Sequence, residues 1–371
     1  MDNKYMQRAI ELARLGAGYT APNPMVGAII VKDGRIIGEG WHKKCGELHA
    51  ERNAIASLTE DAHGADIYVT LEPCCHYGRT PPCTEAIVES GISRVFIGSR
   101  DPNPLVSGKG AEYLRAHGVK VYEDIMREDC DKLNTIFFHY ITNGTPYTAI
   151  KYAMTADGRT AAYTGLSKWI TGETAREHVH SLRGIYSAVL AGIGTVMADD
   201  PMLNCRAEGA HQPLRVIADS KLRISPDSRL CRSAKDYPLL IACTVSEPEK
   251  AAALMALGAE VCILPCDNHG HLSLSALMKE LADRQISSVF CEGGAEINEA
   301  LLREGLVQHI YAYIAPKLLG GKAAHSPIGG TGADRPDNAA LLTALQITRL
   351  GEDVLLEYDV RRGFDSVHGN N

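Results

Sequence analysis

The chain has no run of about 18 successive apolar residues, so no segment reads as a membrane-spanning helix. It also lacks a basic excess: 38 Lys and Arg stand against 45 Asp and Glu, a net charge of −7 at pH 7. Gripping nucleic-acid phosphates as a main activity needs a clustered positive surface, and this balance argues against one. Aromatic residues make up only 6% of the chain, and no basic stretch is interleaved with them as RNA recognition would favour. Small anionic substrates stay open, because a few local Arg or Lys residues suffice for them. The opening MDNKYMQRAIELARLG carries charges of both signs at a helical period, so neither a signal nor a transit peptide is expected there. No disulfide framework shows: the cysteines number eleven, an odd set without regular spacing in a chain long enough to build a core unaided. They read as reduced thiols, some available as metal ligands, and the expected location is cytoplasmic.

The chain does have alternation. With 371 residues, 45% hydrophobic and 22% charged, it falls in the ordinary globular range, and its length suggests two or three domains. Helical and strand-like segments alternate almost throughout, without repeats, which points to an α/β or α/β/α class. The spacing predicts a helix near 3–15 closed by Gly16 and a hairpin VGAIIVKDGRIIGEG turning at Asp33-Gly34. It then predicts a helix over 50–58, the strand IYVTL, a helix opening at Pro81-Pro82, the strand RVFIGS and a helix near 108–117. A strand at VKVYE and one long helix reaching about Thr142 complete this half. Asn143-Gly144-Thr145-Pro146 breaks the pattern before a fresh strand, so domains are expected over 1–144 and 145–364, with a polar tail at 365–371.

The chemistry of the first half turns on His49, Glu51, Cys74 and Cys83. His49 and Glu51 sit where a loop enters a helix, and Cys83 falls in the first turn of another. Helix N-termini favour thiolate over thiol. Two thiolates and an imidazole would give zinc three protein ligands and leave a fourth position for water, the pattern of a catalytic site. Glu51 would be the base beside that water. His-x-Glu followed by Pro-Cys-x-x-Cys is the zinc-deaminase signature. This chain matches His49-Ala50-Glu51 and Pro73-Cys74, but its next ligand candidate, Cys83, follows after eight intervening residues. Cys75 neighbours Cys74 and is not read as a ligand, because adjacent residues rarely point to one ion.

The run EPCCHYGRTPPC, with the upstream NPMVGAIIV and the downstream DPNPLVSGKG, closely resembles the deaminase domain of the bifunctional riboflavin-biosynthesis deaminase/reductase family. KYAMTADGRTA, SKWITG, AGIGTVMADDPMLNCR and VFCEGGAEIN resemble the reductase half of the same family, so the likeness spans about residues 3–360. The resemblance implies a cytidine-deaminase-like α/β/α domain followed by a dihydrofolate-reductase-like α/β domain, one zinc per chain, NADPH, and self-association into a homo-oligomer. Its substrate would be a phosphorylated diaminopyrimidinone, deaminated at C2 with Glu51 shuttling the proton and then reduced at the sugar; neither nucleic acid nor membrane would be a partner.

Asn23, His42, His76, Arg79 and Asn103 lie in or beside the matching motifs and would hold that substrate; loop-shaping roles stay open for them, as for Asn23 before Pro24. Carried over from the resemblance, Ala153, Trp169, Thr195, Asp199, Ser220 and Gly294 to Asn298 (Gly294, Ala295, Glu296, Ile297, Asn298) would contact NADPH. Lys151, Ser167, Arg183, Leu203, Arg206 and Glu292 would contact the reductase substrate, with Lys151 and Asp199 nearest the hydride path. Read without the family, SAVLAGIGTVMADDP is a strand whose Gly192 and Gly194 lack the third glycine of a dinucleotide fingerprint. Glu292-Gly293-Gly294 ahead of a helix is either a phosphate-binding junction or a tight turn. Two alternatives remain: a zinc deaminase of another nucleobase with a recognition domain, and a structural-zinc module fused to a ligand sensor.

Overall fold

The computed structural model describes residues 3–77, 81–104, 106–322 and 324–362. The chain divides into two compact units, Met1–Gly144 and Thr145–Asn371. Arg79 and the tail 365–371 lie outside the described residues.

The first unit holds strands β1 (Gly27–Lys32), β2 (Arg35–Trp41), β3 (Asp66–Leu71), β4 (Arg94–Ser99) and β5 (Lys120–Tyr122). They form one sheet in the order β2-β1-β3-β4-β5, antiparallel through β2, β1 and β3 and parallel from β3 to β5. Among the described residues six helices accompany it: α1 (Lys4–Arg14), α2 (Ala50–Ala56), α3 (Cys83–Glu89), α4 (Lys109–Ala116), α5 (Arg127–Leu133) and α6 (Thr135–Asn143). Strand β1 is apolar on both sides because both faces of the sheet are covered. Ile29 and Val31 pack with Met6 and Ile10 of α1 and Leu133 of α5, while Ala28 and Ile30 pack with Ala54 of α2, Ile87 of α3 and Leu114 of α4. The result is an α/β/α sandwich. Gly40 on β2 is required by close approach, since a Cβ there would collide with the backbone of Ala50 and Ala54. Helix α2, which follows His49 and carries Glu51, thereby lies directly on the sheet.

The long helix expected to reach Thr142 is instead two, α5 and α6, broken at Asn134. The buried Asn134 side chain accepts from the Met25 N–H (2.8 Å) and donates to the Met25 carbonyl (2.9 Å). Such side chain to backbone bonding competes with helix continuation.

Among the described residues the second unit is built on nine strands: β6 (Tyr147–Thr155), β7 (Ala188–Gly192), β8 (Leu214–Ala218), β9 (Leu239–Cys243), β10 (Glu260–Ile263), β11 (Ser288–Cys291), β12 (His309–Ala315), β13 (Leu341–Leu350) and β14 (Asp353–Arg362). Their order is β10-β9-β8-β7-β11-β6-β12-β14-β13, parallel up to β12 and antiparallel through β14 and β13. The helices are α7 (Glu173–Ile185), α8 (Ile193–Asp199), α9 (Arg229–Arg232), α10 (Pro248–Ala256), α11 (Leu274–Asp283) and α12 (Ala295–Arg303). Leu190, Val216 and Leu240 of the sheet bury against Leu277 and Leu281 of α11 and Leu301 of α12. The strand read into SAVLAGIGTVMADDP stops at Gly192, and helix α8 begins at once. The chain must turn there to leave the parallel sheet, as each strand in such a sheet does. In open parallel sheets, ligands settle at the carboxyl ends of the strands.

Two candidate active sites

In the first unit, three segments converge at one end of the sheet. His49 is the residue preceding α2, Cys74 follows β3 after Glu72-Pro73, and Cys83 opens α3. His49 Nδ1 lies 3.5 Å from Cys74 Sγ and 3.4 Å from Cys83 Sγ, and all three ligand atoms fall within 4.8 Å of one another. Tetrahedral zinc with Zn–S of about 2.3 Å and Zn–N of about 2.0 Å requires sulfur–nitrogen separations of about 3.5 Å. The donor set therefore fits zinc in both chemistry and spacing. Cys75 and His76 do not join this group, although both are half-buried beside it.

The electrostatics suit a cation. The bond from Cys83 lowers the Cys74 pKa strongly, and the same bond raises that of Cys83; the Cys83 N–H also points at Cys74 Sγ at 3.4 Å. Bonding to Cys74 raises the His49 pKa. Glu51 is 4% exposed, and burial, then the Cys74 charge, raises its carboxyl pKa. His42 stands edge-on to His49 with ring centroids 5.5 Å apart. Its Nδ1–H donates to the Leu48 carbonyl at 3.1 Å, which leaves Nε2 to accept from Asn23 Nδ2 at 3.4 Å. Burial lowers the His42 pKa, which keeps that neutral tautomer. The structure thus ties the expected substrate contacts Asn23 and His42 to each other and to the candidate ligand His49. The Nδ1 atom of His76 is buried without a hydrogen-bond partner among the described residues. The Asn103 N–H donates to Asp101 Oδ1 at 2.8 Å.

Two acids here had no signal in residue spacing. The Glu72 carboxylate, 5% exposed, accepts from the N–H groups of Gly108 (3.0 Å), Gly110 (3.0 Å) and Ala111 (3.2 Å). It clamps the start of α4 onto the segment that delivers Cys74, and a Cβ at Gly110 would strike the Pro73 carbonyl. Asp101 is 7% exposed, and burial raises its pKa to about 6.

The second unit carries an open cavity of about 1910 Å³ at the carboxyl ends of β6, β7, β8 and β11. On the β6 and α7 side it is lined by Lys151, Ala153, Arg183 and Glu292. The loops on either side of α7 and α8 supply Ser167, Trp169, Leu203 and Arg206. Thr195, Asp199 and Ser220 line it as well, and Gly294, Ala295, Glu296, Ile297 and Asn298 form the wall at the start of α12. Every reductase residue expected from the sequence therefore borders one cavity.

Several are held by named partners. Arg183 forks onto Glu292, with Nη2 to Oε2 at 2.9 Å, and Nη1 donates to the Asn204 carbonyl at 3.0 Å. Burial pushes the Glu292 carboxyl up, but Arg183 and Lys151 outweigh it and hold the pKa below its usual value. Burial lowers the pKa of Lys151, against the pull of Glu292. Ser167 Oγ donates to Asp199 Oδ1 at 3.1 Å. Leu203 is 2% exposed with φ of +52°, a strained conformation for leucine that buries its side chain and turns its backbone. The Asn298 side chain is engaged with the Pro327 carbonyl at 3.0 Å and with the Cys291 thiol. Trp169 is 64% exposed and stacks on the Arg176 guanidinium at 4.7 Å. Sequence reading missed His180, whose pKa falls to about 4 through burial and the charges of Arg183 and Arg206.

Comparison with known proteins follows the same division. Residues 1–99 match the cytidine and deoxycytidylate deaminase zinc-binding region, and residues 146–356 match the RibD C-terminal domain. The chain is 50% identical over 359 residues to the riboflavin biosynthesis protein RibD of Actinobacillus pleuropneumoniae, covering 97% of this chain and 95% of that one. It is similar to the crystal structure of a diaminohydroxyphosphoribosylaminopyrimidine deaminase/5-amino-6-(5-phosphoribosylamino)uracil reductase from Thermotoga maritima, with 38% identity and a TM-score of 0.87. That alignment covers 96% of this chain and 98% of the other. A RibD structure from Acinetobacter baumannii gives 38% identity and a TM-score of 0.88, covering 97% and 99%.

Proposed function

Because the chain belongs to the RibD family and is a deaminase and a reductase of riboflavin biosynthesis, we propose a division of labour between its two units. The first removes ammonia from C2 of 2,5-diamino-6-(ribosylamino)-4(3H)-pyrimidinone 5′-phosphate. The second then reduces the ribosyl group to a ribityl group with NADPH. The observation that carries the first half is the convergence of His49, Cys74 and Cys83 with Glu51 buried beside them.

His49, Cys74 and Cys83 are the residues that would hold zinc, one ion per chain. Bound there, zinc supplies the Lewis acidity that brings the pKa of a water toward about 7. Glu51 takes the proton from the attacking water and delivers it to the departing amine, so C2 gains oxygen and ammonia leaves. Burial raises the proton affinity of Glu51, which suits a carboxyl that must carry a proton between two steps. Asn23, His42, His76, Arg79 and Asn103 are proposed to hold the ring and phosphate. The structural-zinc alternative loses support because no fourth ligand joins the group among the described residues.

In the second unit, NADPH supplies the hydride and the protein supplies orientation. C1′ of the ring-opened sugar receives the hydride while the attached nitrogen gains a proton. Arg183 and Arg206 are proposed to grip the substrate, Lys151 and Asp199 to border the hydride path, and the start of α12 to receive the cofactor diphosphate. The enzyme is proposed to act in the cytoplasm as a homo-oligomer on this small phosphorylated pyrimidine, without nucleic-acid or membrane partners. The test supplies the diamino substrate and follows ammonia and NADPH together. Glu51→Gln should abolish ammonia release while reduction of the deaminated intermediate continues; ammonia release surviving the substitution would overturn the mechanism.

A further inference from the structure

The loop from Asp200 to Arg206 brings Leu203 and Arg206 to the wall of the second unit's cavity. It does so in a backbone conformation that needs support. Asp200 has φ of +41° and Leu203 φ of +52°. Aspartate tolerates the left-handed region, but a leucine there is strained, and such strain persists only where the surroundings over-determine it. Three side chains reach this loop with hydrogen bonds to its backbone.

Arg183, already assigned to the substrate, donates to the Asn204 carbonyl at 3.0 Å. Gln212 closes a reciprocal pair on the next residue: its Oε1 accepts from the Cys205 N–H at 3.1 Å, and its Nε2 donates to the Cys205 carbonyl at 3.0 Å. Arg215, on β8, donates from Nη1 to the Met202 carbonyl at 3.2 Å, immediately before the strained leucine. Neither Gln212 nor Arg215 lines the cavity, so neither has a part in the chemistry described above.

Arg215 is an unusual residue to bury. It has no exposed surface, and among the described residues no carboxylate pairs with it. A buried charge is costly unless its hydrogen-bonding capacity is filled, and here neutral groups fill it. Nη1 also donates to Ser233 Oγ at 2.9 Å, while Nη2 donates to the carbonyls of Leu230 and Ser233 (3.3 Å each) and Tyr237 (2.6 Å). One guanidinium thus fastens the Asp200–Arg206 loop to α9 and to the turn that follows it. The Arg229 N–H at the start of α9 adds a bond to Asp200 Oδ1 at 2.9 Å. The loop is therefore held at Asp200, Met202, Asn204 and Cys205, on both sides of Leu203.

We infer that Arg215 and Gln212 are positioning residues of the reductase, which hold this loop in the strained form that presents Leu203 and Arg206 to the phosphorylated sugar. The inference rests on the reading above that Arg206 grips the substrate. It is tested on the full-length protein by steady-state reduction of the deaminated uracil-type intermediate, with NADP⁺ binding measured separately by calorimetry. Arg206→Gln should raise the KM for the intermediate about 10- to 100-fold, the range of a lost charge-assisted hydrogen bond. Gln212→Ala should raise it about 3- to 10-fold, with kcat and NADP⁺ affinity each within about twofold of wild type. Arg215→Met should raise it at least as much, and Arg215→Lys, which keeps the charge but loses the fork, should recover part of the loss.

A merely structural role would read differently. Strand β8 carries Arg215 and leads to Ala218 and Ser220 on the cavity wall, so general loosening there would weaken NADP⁺ together with the substrate. If the Arg215 and Gln212 variants weaken both ligands alike, or leave the KM for the intermediate unchanged, the inference fails while the reading of Arg206 stands. Should Arg215→Met not fold, Gln212→Ala decides, because Gln212 is only half-buried. If Arg206→Gln leaves that KM unchanged, the substrate does not use this loop, and the reading falls together with the inference.

Discussion

At the first site three ligand atoms converge within 4.8 Å, whereas the residues of the second surround a cavity of about 1910 Å³. The difference follows from the chemistry each unit performs. Hydrolysis of an exocyclic amine needs an activated water and a proton carrier at one point, so a few side chains must meet closely. Hydride transfer needs two large molecules held edge to edge, so the protein contributes breadth and orientation more than reactive groups. A compact site concentrates its sensitivity in single residues; a broad one spreads it.

The sharpest contrast is expected from Glu51→Gln, which should lower ammonia release by about 10²- to 10⁴-fold while zinc content is unchanged. A comparably large loss in the second unit requires breaking a buried pair. Arg183→Ala strands the Glu292 carboxylate, whose side chain is 9% exposed, and should cost about 3–5 kcal/mol of stability in chemical unfolding of that unit. If Arg183→Ala unfolds at the wild-type denaturant midpoint, the pair does not hold the cavity wall.

Glu72→Ala should come next. It removes the acceptor of three N–H groups at the start of α4 and should cost about 2 kcal/mol, with weaker zinc retention in a chelator competition. A mutant with reduced stability but unchanged zinc affinity would show that the clamp does not reach Cys74.

The smallest effect is a pH dependence at His309 on β12, which does not line the cavity. Burial lowers the pKa of His309, but Glu357 and Asp359 outweigh it, and Nδ1 lies 3.0 Å from Asp359 Oδ1, so the folded pKa is raised. A raised folded pKa stabilises fully below the unfolded value near 6.5, and the gain is lost as pH rises through the folded value. Partial exposure of Asp359 limits it to about 1 kcal/mol or less. Melting temperatures across that window should decline less in His309→Gln than in the wild-type chain.

The legibility of the two sites differed for the same reason as their sensitivity. His49, Cys74 and Cys83, with Glu51 beside them, were visible because candidate metal ligands and their neighbouring base are recognisable by residue type and motif without a structure. Most of the cavity residues were reached through family resemblance, the Glu292-Gly293-Gly294 junction excepted, since no spacing rule marks a surface spread over several strand ends. The break at Asn134 escaped because its cause is a pair of bonds to Met25, more than a hundred residues away in sequence. Glu72 escaped likewise, its partners lying 36 to 39 residues on.

The most direct test of the two-step account is a single assay of Glu51→Gln on two substrates, following ammonia and NADPH together. Given the diamino substrate, the variant should release almost no ammonia and consume almost no NADPH. Given the deaminated uracil-type intermediate, it should consume NADPH at the wild-type rate. NADPH consumption on the diamino substrate without ammonia release would contradict the order of the two steps.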